Sequence, residues 1–247
     1  MESKKNKEQL IERVYGVHPV LEVLKAKRRK VYEVYVLKQE PKIWASIEPL
    51  LPKYKVIVHH LSKDALTEKV GTPDHQGVAM IVAPFPYRST FFNPAREKFL
   101  VMLDGVQDVR NMGAIIRSAY CTGAQGVIVI RKNSSPLTAA AIKASAGLVE
   151  SMEVYVATSV AQALVELKKA GYTIYVTALG GKQDAAQLTY TMPLCVVIGS
   201  EGRGVSSETL KAGTLVTLAQ KTSDVSYNAS VAAGIILFLI ARQNTIV

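Results

Sequence analysis

The chain has 247 residues, with 30 Lys and Arg against 20 Asp and Glu, so its formal net charge at pH 7 is +10. A chain of this length can bury a full hydrophobic core, and this charge favours a polyanionic partner such as nucleic acid. The two cysteines lie far apart among apolar neighbours, which excludes a disulfide framework and a CxxC metal site and fits a reducing cytoplasm.

Neither the amino terminus nor the apolar segments predict export or membrane insertion. The opening MESKKNKEQLIERVYG lacks the apolar core of a signal peptide and is too acidic for a typical transit peptide. The longest apolar stretch, ASVAAGIILFLIA at 229–241, is shorter than the roughly 20 residues that a membrane span needs. We therefore predict a buried helix there.

The first third of the chain alternates strand-like and helical patterns, as α/β domains do. Predicted strands lie at 31–38, 54–61 and 77–85, and helical spacing covers 18–27, 42–51 and 62–70.

A segment rich in proline and without clear periodicity follows, with Pro84, Pro86 and Pro94, and it predicts a linker. The predicted organisation is a small domain at 1–85, a linker at 86–98 and a larger domain at 99–247. Residues 1–98 carry 18 of the 30 basic and 11 of the 20 acidic side chains, so the small domain is the more basic one.

The larger domain repeats strand and helix patterns from KFLVMLDGV onward. Its predicted strands are near-continuous apolar runs, which indicate a parallel sheet covered by helices on both faces. Ser135 and Pro136 predict the start of one of these helices, with Ser135 as the cap. Ligands of such sheets bind at the carboxyl ends of the strands, so the loops near Gly180, Gly199 and Gln220 are expected to form the site.

Several common site chemistries have no support in the sequence. No GxGxxG follows the first strand of either half, GGK at 180–182 lacks the flanking residues of a P-loop, and GxSxG is absent. The four histidines all lie in the first domain at spacings that match no usual zinc pattern, so no metal is expected.

Three loop segments carry the candidate chemistry. Asn111 and Arg117 lie six residues apart at a predicted helix start, Glu201 stands among glycines after a buried strand, and Ser226 and Asn228 precede the last helix. Taken singly, each has an ordinary interpretation, as a helix cap, a solvated helix charge or an acidic turn residue.

In combination, the three segments resemble the motifs of the SpoU-type RNA 2′-O-ribose methyltransferases of the SPOUT superfamily. The segments are NMGAIIRSAYCTGA, VVIGSEGRGVS and LAQKTSDVSYNASVAAGI. The third departs from the family pattern before Ser226, where LAQKT replaces a stretch that usually contains Ile-Pro and a glycine. Residues VYGVHPVLEVLKAKRRKVYEVYVLK and HQGVAMIVAPF also resemble the small L30e-like RNA-binding domain of the bacterial 23S rRNA guanosine methyltransferase branch.

The resemblance implies a fold, a cofactor and an assembly. It implies an α/β parallel sheet with a carboxyl-terminal trefoil knot, S-adenosylmethionine held by the knotted loops, and a homodimer. The implied reaction is methyl transfer to a ribose 2′-hydroxyl of RNA, most closely a guanosine of 23S rRNA. A tRNA methyltransferase and a non-catalytic RNA-binding or ribosome-assembly relative are the alternatives.

Residue roles follow from the same resemblance. Arg117 is the implied group at the hydroxyl, and we favour stabilisation of the developing oxyanion over a base role because guanidinium stays protonated in proteins. Asn111, Glu201, Ser226 and Asn228 complete the implied catalytic set. The implied cofactor contacts are Leu179, Gly180, Gly199, Leu218 and Tyr227.

A basic run, KAKRRK at 25–30, is the predicted RNA contact of the first domain. We expect Lys27, Arg28 and Arg29 to bind phosphates, with Tyr32 and Tyr35 close behind to stack on unpaired bases. The alternative is a solvated helix end without a ligand.

Overall fold

The computed structural model describes residues 11–132, 134–222 and 225–247. Its first part is built on a four-stranded sheet in the order β1-β4-β2-β3, in which only the β2–β3 pair is parallel. The strands are β1 (Glu12–Tyr15), β2 (Val31–Leu37), β3 (Ile57–Leu61) and β4 (Val78–Val82). The helices are α1 (Val17–Ala26), α2 (Trp44–Ile47) and α3 (Lys63–Val70), with 3₁₀ turns at Glu48–Leu50 and Pro73–His75.

The second part is a seven-stranded sheet in the order β7-β6-β5-β10-β8-β11-β9, and all of its pairs are parallel. The strands are β5 (Phe99–Asp104), β6 (Gly126–Ile130), β7 (Glu153–Ala157), β8 (Thr173–Thr177), β9 (Gln183–Asp184), β10 (Leu194–Gly199) and β11 (Thr214–Thr217). The helices are α4 (Val109–Cys121), α5 (Ala139–Ala144), α6 (Val160–Ala170), α7 (Ser207–Leu210) and α8 (Ala229–Gln243), with a 3₁₀ turn at Leu148–Ser151. The predicted α/β class with a parallel sheet is confirmed.

The two faces of the parallel sheet bury separate sets of side chains. Alternate residues of β5 face opposite ways, so Val101 and Leu103 pack with α4 and α8, whereas Leu100 and Met102 pack with α6. The first of these clusters continues into the small sheet through residues such as Val34. The two parts therefore share one continuous core.

Helix α8 forms where the apolar stretch predicted a buried helix, but only one of its faces is buried. It has 15 residues, of which Ala233, Ile236, Leu237 and Ile240 are buried. Within the described ranges, no helix combines the length and the apolar character that crossing a membrane requires.

Two local details differ from the sequence predictions. Helix α5 begins after Thr138, whose hydroxyl accepts from the Ala141 N–H at 3.3 Å, so the predicted start with Ser135 as cap is wrong. Ser135 instead donates to the carbonyl of Gln107 in the loop after β5. Serine and threonine are both suitable N-cap residues. Because the Ser135 hydroxyl is bonded to the loop after β5, Thr138 caps the helix instead.

The segment predicted as a linker packs against the edge of the large sheet. The Arg88 N–H donates to the Val154 carbonyl at 2.8 Å, and its guanidinium pairs with Glu97 at 3.0 Å. The same guanidinium lies 4.6 Å from the ring centroid of Phe92, which is buried. These contacts fasten the segment along its length rather than leaving it as a free tether.

Candidate functional site

Two neighbouring cavities open at the carboxyl ends of the parallel strands. The first, of about 370 Å³, lies among the loops after β8, β10 and β11, and the second, of about 500 Å³, lies among the loops after β5, β6 and β10. Residues Ser200–Val205 line both cavities, so this segment forms the wall between them.

A cluster of three polar side chains joins the three sequence motifs at this wall. The Asn228 amide donates to Asn111 Oδ1 at 3.1 Å and to Glu201 Oε1. Its own oxygen accepts from the backbone N–H groups of Ser230 at 2.9 Å and Val231 at 3.3 Å, which caps α8. Because the oxygen faces the helix, the amino group must face the two partners.

Asn111 is held in this cluster by the start of α4. The Asp108 carboxylate caps the helix by accepting from the Arg110 N–H at 2.6 Å, and Asn111 is buried one residue later. Gly113 lets α4 approach α5 closely, since a Cβ there would lie 2.4 Å from the Ala141 carbonyl oxygen. The first motif thus sets the position of Asn111 through both capping and helix packing.

Glu201 is presented by a tight loop after β10. Ser200 and Gly204 exchange backbone hydrogen bonds of 3.0 Å, which closes the loop. A Cβ on Gly199 would lie 2.3 Å from the Gly204 carbonyl carbon, so only glycine fits at the end of this strand. The loop's glycines leave backbone, rather than side chains, facing the cavities.

Asp104, at the end of β5, anchors the far side of this loop. Its carboxylate is buried and accepts from the Ser206 N–H at 2.8 Å and from the Thr209 hydroxyl at 2.7 Å. Asp104 was not among the predicted site residues, although an acid at the carboxyl end of a buried strand is a usable signal.

Most of the residues expected to bind a cofactor line the first cavity. Leu179, Gly199, Leu218 and Tyr227 all do, together with Ser226 and Glu201. Gly180 does not line this cavity, although it directly follows Leu179. Its φ of 71° lies in the left-handed region. Ile198, Val216 and Ile236 supply apolar walls of this cavity and were not among the predicted cofactor contacts.

Arg117 stands apart from the polar cluster. Its side chain is exposed, lines neither cavity and has no hydrogen bond or ion pair to any other residue that the structure describes. Six helical residues turn the chain by about 240° relative to Asn111, so one helix cannot aim both side chains at the same point.

The basic run of the first domain is only partly on the surface. Lys27 is exposed, but the Arg29 side chain has no exposed surface and pairs with Glu150 at 2.9 Å and with Glu12. The expectation of a phosphate contact is wrong for Arg29, because reaching RNA would leave Glu150 buried without its cation.

Arg28 also serves the junction between the two sheets. It donates to the Met152 carbonyl at 2.7 Å and pairs with Glu153 at 3.1 Å. At another point of this junction, Lys143 of the second part donates to the Asp74 carbonyl at 2.8 Å and to Gln76. These contacts leave Lys27 as the member of the predicted trio that is free to meet RNA.

Residues 11–132, 134–222 and 225–247 contain no group of three or more His, Cys, Asp or Glu side chains placed to hold a metal ion.

The fold and the twin cavities define an α/β protein with a ligand site at the strand ends of a parallel sheet and a small domain fastened to it. The sequence model of the SpoU rRNA Methylase family matches residues 98–238, and that of RNA 2′-O ribose methyltransferase substrate binding matches residues 13–88. The chain belongs to the SpoU methylase family.

Relatives match along nearly the whole chain. YacO of Bacillus subtilis, named for the TrmH family of tRNA/rRNA methyltransferases, is 32% identical over 93% of this chain and 95% of its own length. The 23S rRNA (guanosine-2′-O-)-methyltransferase RlmB of Photobacterium profundum is 32% identical over 94% of this chain and 98% of its own.

A solved structure extends the likeness to the fold. The SpoU methyltransferase AviRb of Streptomyces viridochromogenes, in complex with the cofactor AdoMet, has a TM-score of 0.82 and 25% identity, and the match covers 98% of this chain and 94% of AviRb.

Proposed function

We propose that this protein transfers a methyl group from S-adenosylmethionine to a ribose 2′-hydroxyl of RNA. The observation that carries the proposal is the Asn111–Asn228–Glu201 cluster, which joins all three family motifs at the wall between two cavities. Such a wall can hold a methyl donor on one side and an acceptor on the other.

The first cavity suits the methyl donor. Its volume of about 370 Å³ falls in the usual range for small-molecule sites, and it combines apolar walls with exposed loop backbone. When bound, S-adenosylmethionine supplies an electrophilic methyl group on a sulfonium. Leu179, Leu218 and Tyr227 would hold its apolar parts, and the bare backbone at Gly199 would permit close approach.

The chain's own residues would position the hydroxyl and manage its charge. Glu201 and Asn228 can orient a ribose through hydrogen bonds, and alignment of reacting atoms can supply much of a rate enhancement. We assign Arg117 to stabilisation of the developing 2′-oxyanion, because its guanidinium cannot readily accept a proton. Water would therefore accept the proton of the 2′-hydroxyl.

We also propose a homodimer, which the exposed surface of α8 supports. Val231, Ile235 and Phe238 recur at helical spacing and remain exposed, and Phe238 exposes 51% of its surface. Arg117 lies on the neighbouring helix α4, next to Ser118, whose hydroxyl lies near Gly234 of α8. A second copy packed on this surface would come close to Arg117 and could bring that side chain to a site.

The carboxyl-terminal trefoil knot is part of the same proposal. The strand order supports it, because β10 inserts between β5 and β8 although it follows both along the chain. The loop after β8 also packs closely on β11, since a Cβ on Gly181 would lie 3.1 Å from the Val216 carbonyl carbon.

For the substrate, we favour ribosomal RNA in the cytoplasm, with a guanosine of 23S rRNA as the first target to test. The full-length likeness to RlmB supports this choice, and YacO's name keeps tRNA as the second candidate. Mapping 2′-O-methylation in rRNA and tRNA from a strain lacking the gene tests it, and a lost mark in tRNA alone would overturn the rRNA assignment.

Cofactor binding distinguishes a methyltransferase from the alternative, a non-catalytic RNA-binding protein. Isothermal titration with S-adenosylmethionine should give saturable binding, and absence of binding to the folded protein would favour the non-catalytic alternative.

A further inference from the structure

The second cavity lies beside the polar cluster but outside the space assigned to the methyl donor. Asn111 lines only the second cavity, whereas Glu201 lines both cavities. A group held in the second cavity would therefore meet the cluster from the side opposite the first cavity.

The walls of the second cavity are apolar and its edges are polar or charged. Apolar surface comes from Val106, Val160, Val205 and Ala229, and Gly105, Gly202 and Gly204 contribute bare backbone. Gln107, Asp108, Lys132 and Arg203 supply the polar and charged edges. A nucleotide fits this pattern, because its base has apolar faces and a hydrogen-bonding edge and its phosphates require cations.

Apart from Asp108, whose carboxylate caps α4, the polar side chains at the edges make no polar contacts within the described part of the protein. Lys132, Arg203 and the Gln107 amide are exposed, and none has a side-chain hydrogen bond or ion pair to another described residue. Asp104 differs, because Ser206 and Thr209 already occupy its carboxylate. The free donors are therefore available to a ligand, whereas Asp104 shapes the wall.

We propose that the second cavity holds the base of the target nucleotide, turned out of its stack, while Lys132 and Arg203 bind the adjoining phosphates. The proposal rests on the proposed function and names the acceptor's binding site. Enzymes that do chemistry on a base extrude its nucleotide into a pocket, where contacts offset the cost of unstacking, and the same extrusion would here bring the 2′-hydroxyl to the wall between the cavities. Gln107 and Asp108 would then offer donors and acceptors to the base edge.

Filling the cavity tests the proposal directly. Val160 lines the second cavity and not the first, and it begins α6, whereas Val165 on the same helix is exposed and lines neither. We expect Val160→Trp to reduce methyl transfer to total RNA from a gene-deletion strain by about 100-fold, with unchanged affinity for S-adenosylmethionine and an unchanged melting temperature. Val165→Trp should match the wild type in all three measurements.

Other outcomes would overturn the proposal. Transfer by folded Val160→Trp at the wild-type rate would mean that no part of the acceptor enters the cavity. A parallel loss of S-adenosylmethionine binding would mean that the two cavities do not have separate ligands. If wild type itself binds the cofactor and RNA but transfers no methyl group, the proposed function fails instead.

A second variant covers the case in which the tryptophan disturbs folding. We expect Lys132→Ala to weaken RNA binding and to reduce the slope of log affinity against log salt by about one unit, as loss of one phosphate contact does. Lys168→Ala, which removes an exposed lysine from α6 away from both cavities, is the control. Equal slopes for Lys132→Ala and wild type would contradict the phosphate contact.

Discussion

At the scale of single residues, Asn228 combines a structural and a functional duty in one amide. Its oxygen caps α8, and its amino group holds Asn111 and Glu201 at the wall between the cavities. Two substitutions separate these duties, because aspartate keeps the capping oxygen and alanine removes both groups.

Asn228→Asp should fold stably but lose most of its methyl transfer, by about 100-fold, because it cannot donate to Asn111 and places a second carboxylate beside Glu201. Asn228→Ala should also lose about 1 kcal/mol of stability with the cap. Urea unfolding and transfer rates for both variants provide the check. Normal transfer by Asn228→Asp would remove the cluster from the mechanism.

Arg117 gives the clearest separation between activity and folding. It is exposed and lacks a partner among the described residues, so Arg117→Ala should leave unfolding and S-adenosylmethionine binding nearly unchanged while abolishing transfer. The exposed Lys168 offers the matched control as Lys168→Ala. Transfer at the wild-type rate by Arg117→Ala would show that the assigned role is wrong.

At the scale of helices and strands, the sequence predicted the elements whose apolar runs are long. Strands β5, β6 and β10 are fully buried and appear as continuous apolar runs, so their positions could be predicted. Strands β1 and β9 have only four and two residues and lack such a run. The start of α5 depended on the contact between Ser135 and the loop after β5, which lies 28 residues away in the chain.

The sequence likewise predicted part of the candidate site. The three motifs identified the residues that meet at the wall, because capping residues and glycines after strands leave a local signature. The separate orientation of Arg117 follows from the six-residue spacing on one helix and could have been predicted. The burial of Arg29 depends on packing against Glu150, 121 residues away, which no local pattern records.

Helix α8 carries the prediction about assembly. Phe238→Asp should shift the protein from dimer to monomer in light scattering after size exclusion, because a carboxylate cannot be buried cheaply in an apolar interface. Val165→Asp, at an exposed valine of α6, should remain dimeric. A wild-type protein that is monomeric at all concentrations would contradict the proposed homodimer.

At the scale of the whole molecule, a buried ion pair fastens the small domain to the large one. Burial raises the pKa of the Glu150 carboxyl, and the Arg29 guanidinium opposes that rise. Arg29 also donates to the Ala83 carbonyl at 2.7 Å, near the end of the small sheet. Contacts from both parts thus position the two sheets relative to each other, which gives the small domain a defined orientation.

Arg29→Met should destabilise the protein by about 3–5 kcal/mol, because it leaves the Glu150 carboxylate buried without a cation. The double variant Arg29→Met with Glu150→Met should recover part of that loss, since it removes both charges. Denaturant unfolding of wild type and both variants measures the difference. A stability change below about 1 kcal/mol in Arg29→Met would show that the pair does not hold the domains together.

The most direct test of the methyltransferase assignment is to identify the methylated atom. The protein is incubated with deuterium-labelled S-adenosylmethionine and total RNA from a gene-deletion strain, and the RNA is digested to nucleosides for mass spectrometry. We predict labelled 2′-O-methyl nucleosides with wild type and a large loss with Glu201→Gln, whose affinity for RNA should change little because Glu201 acts in orientation. Label on a base, or no label with a protein that binds S-adenosylmethionine and RNA, would contradict the assignment.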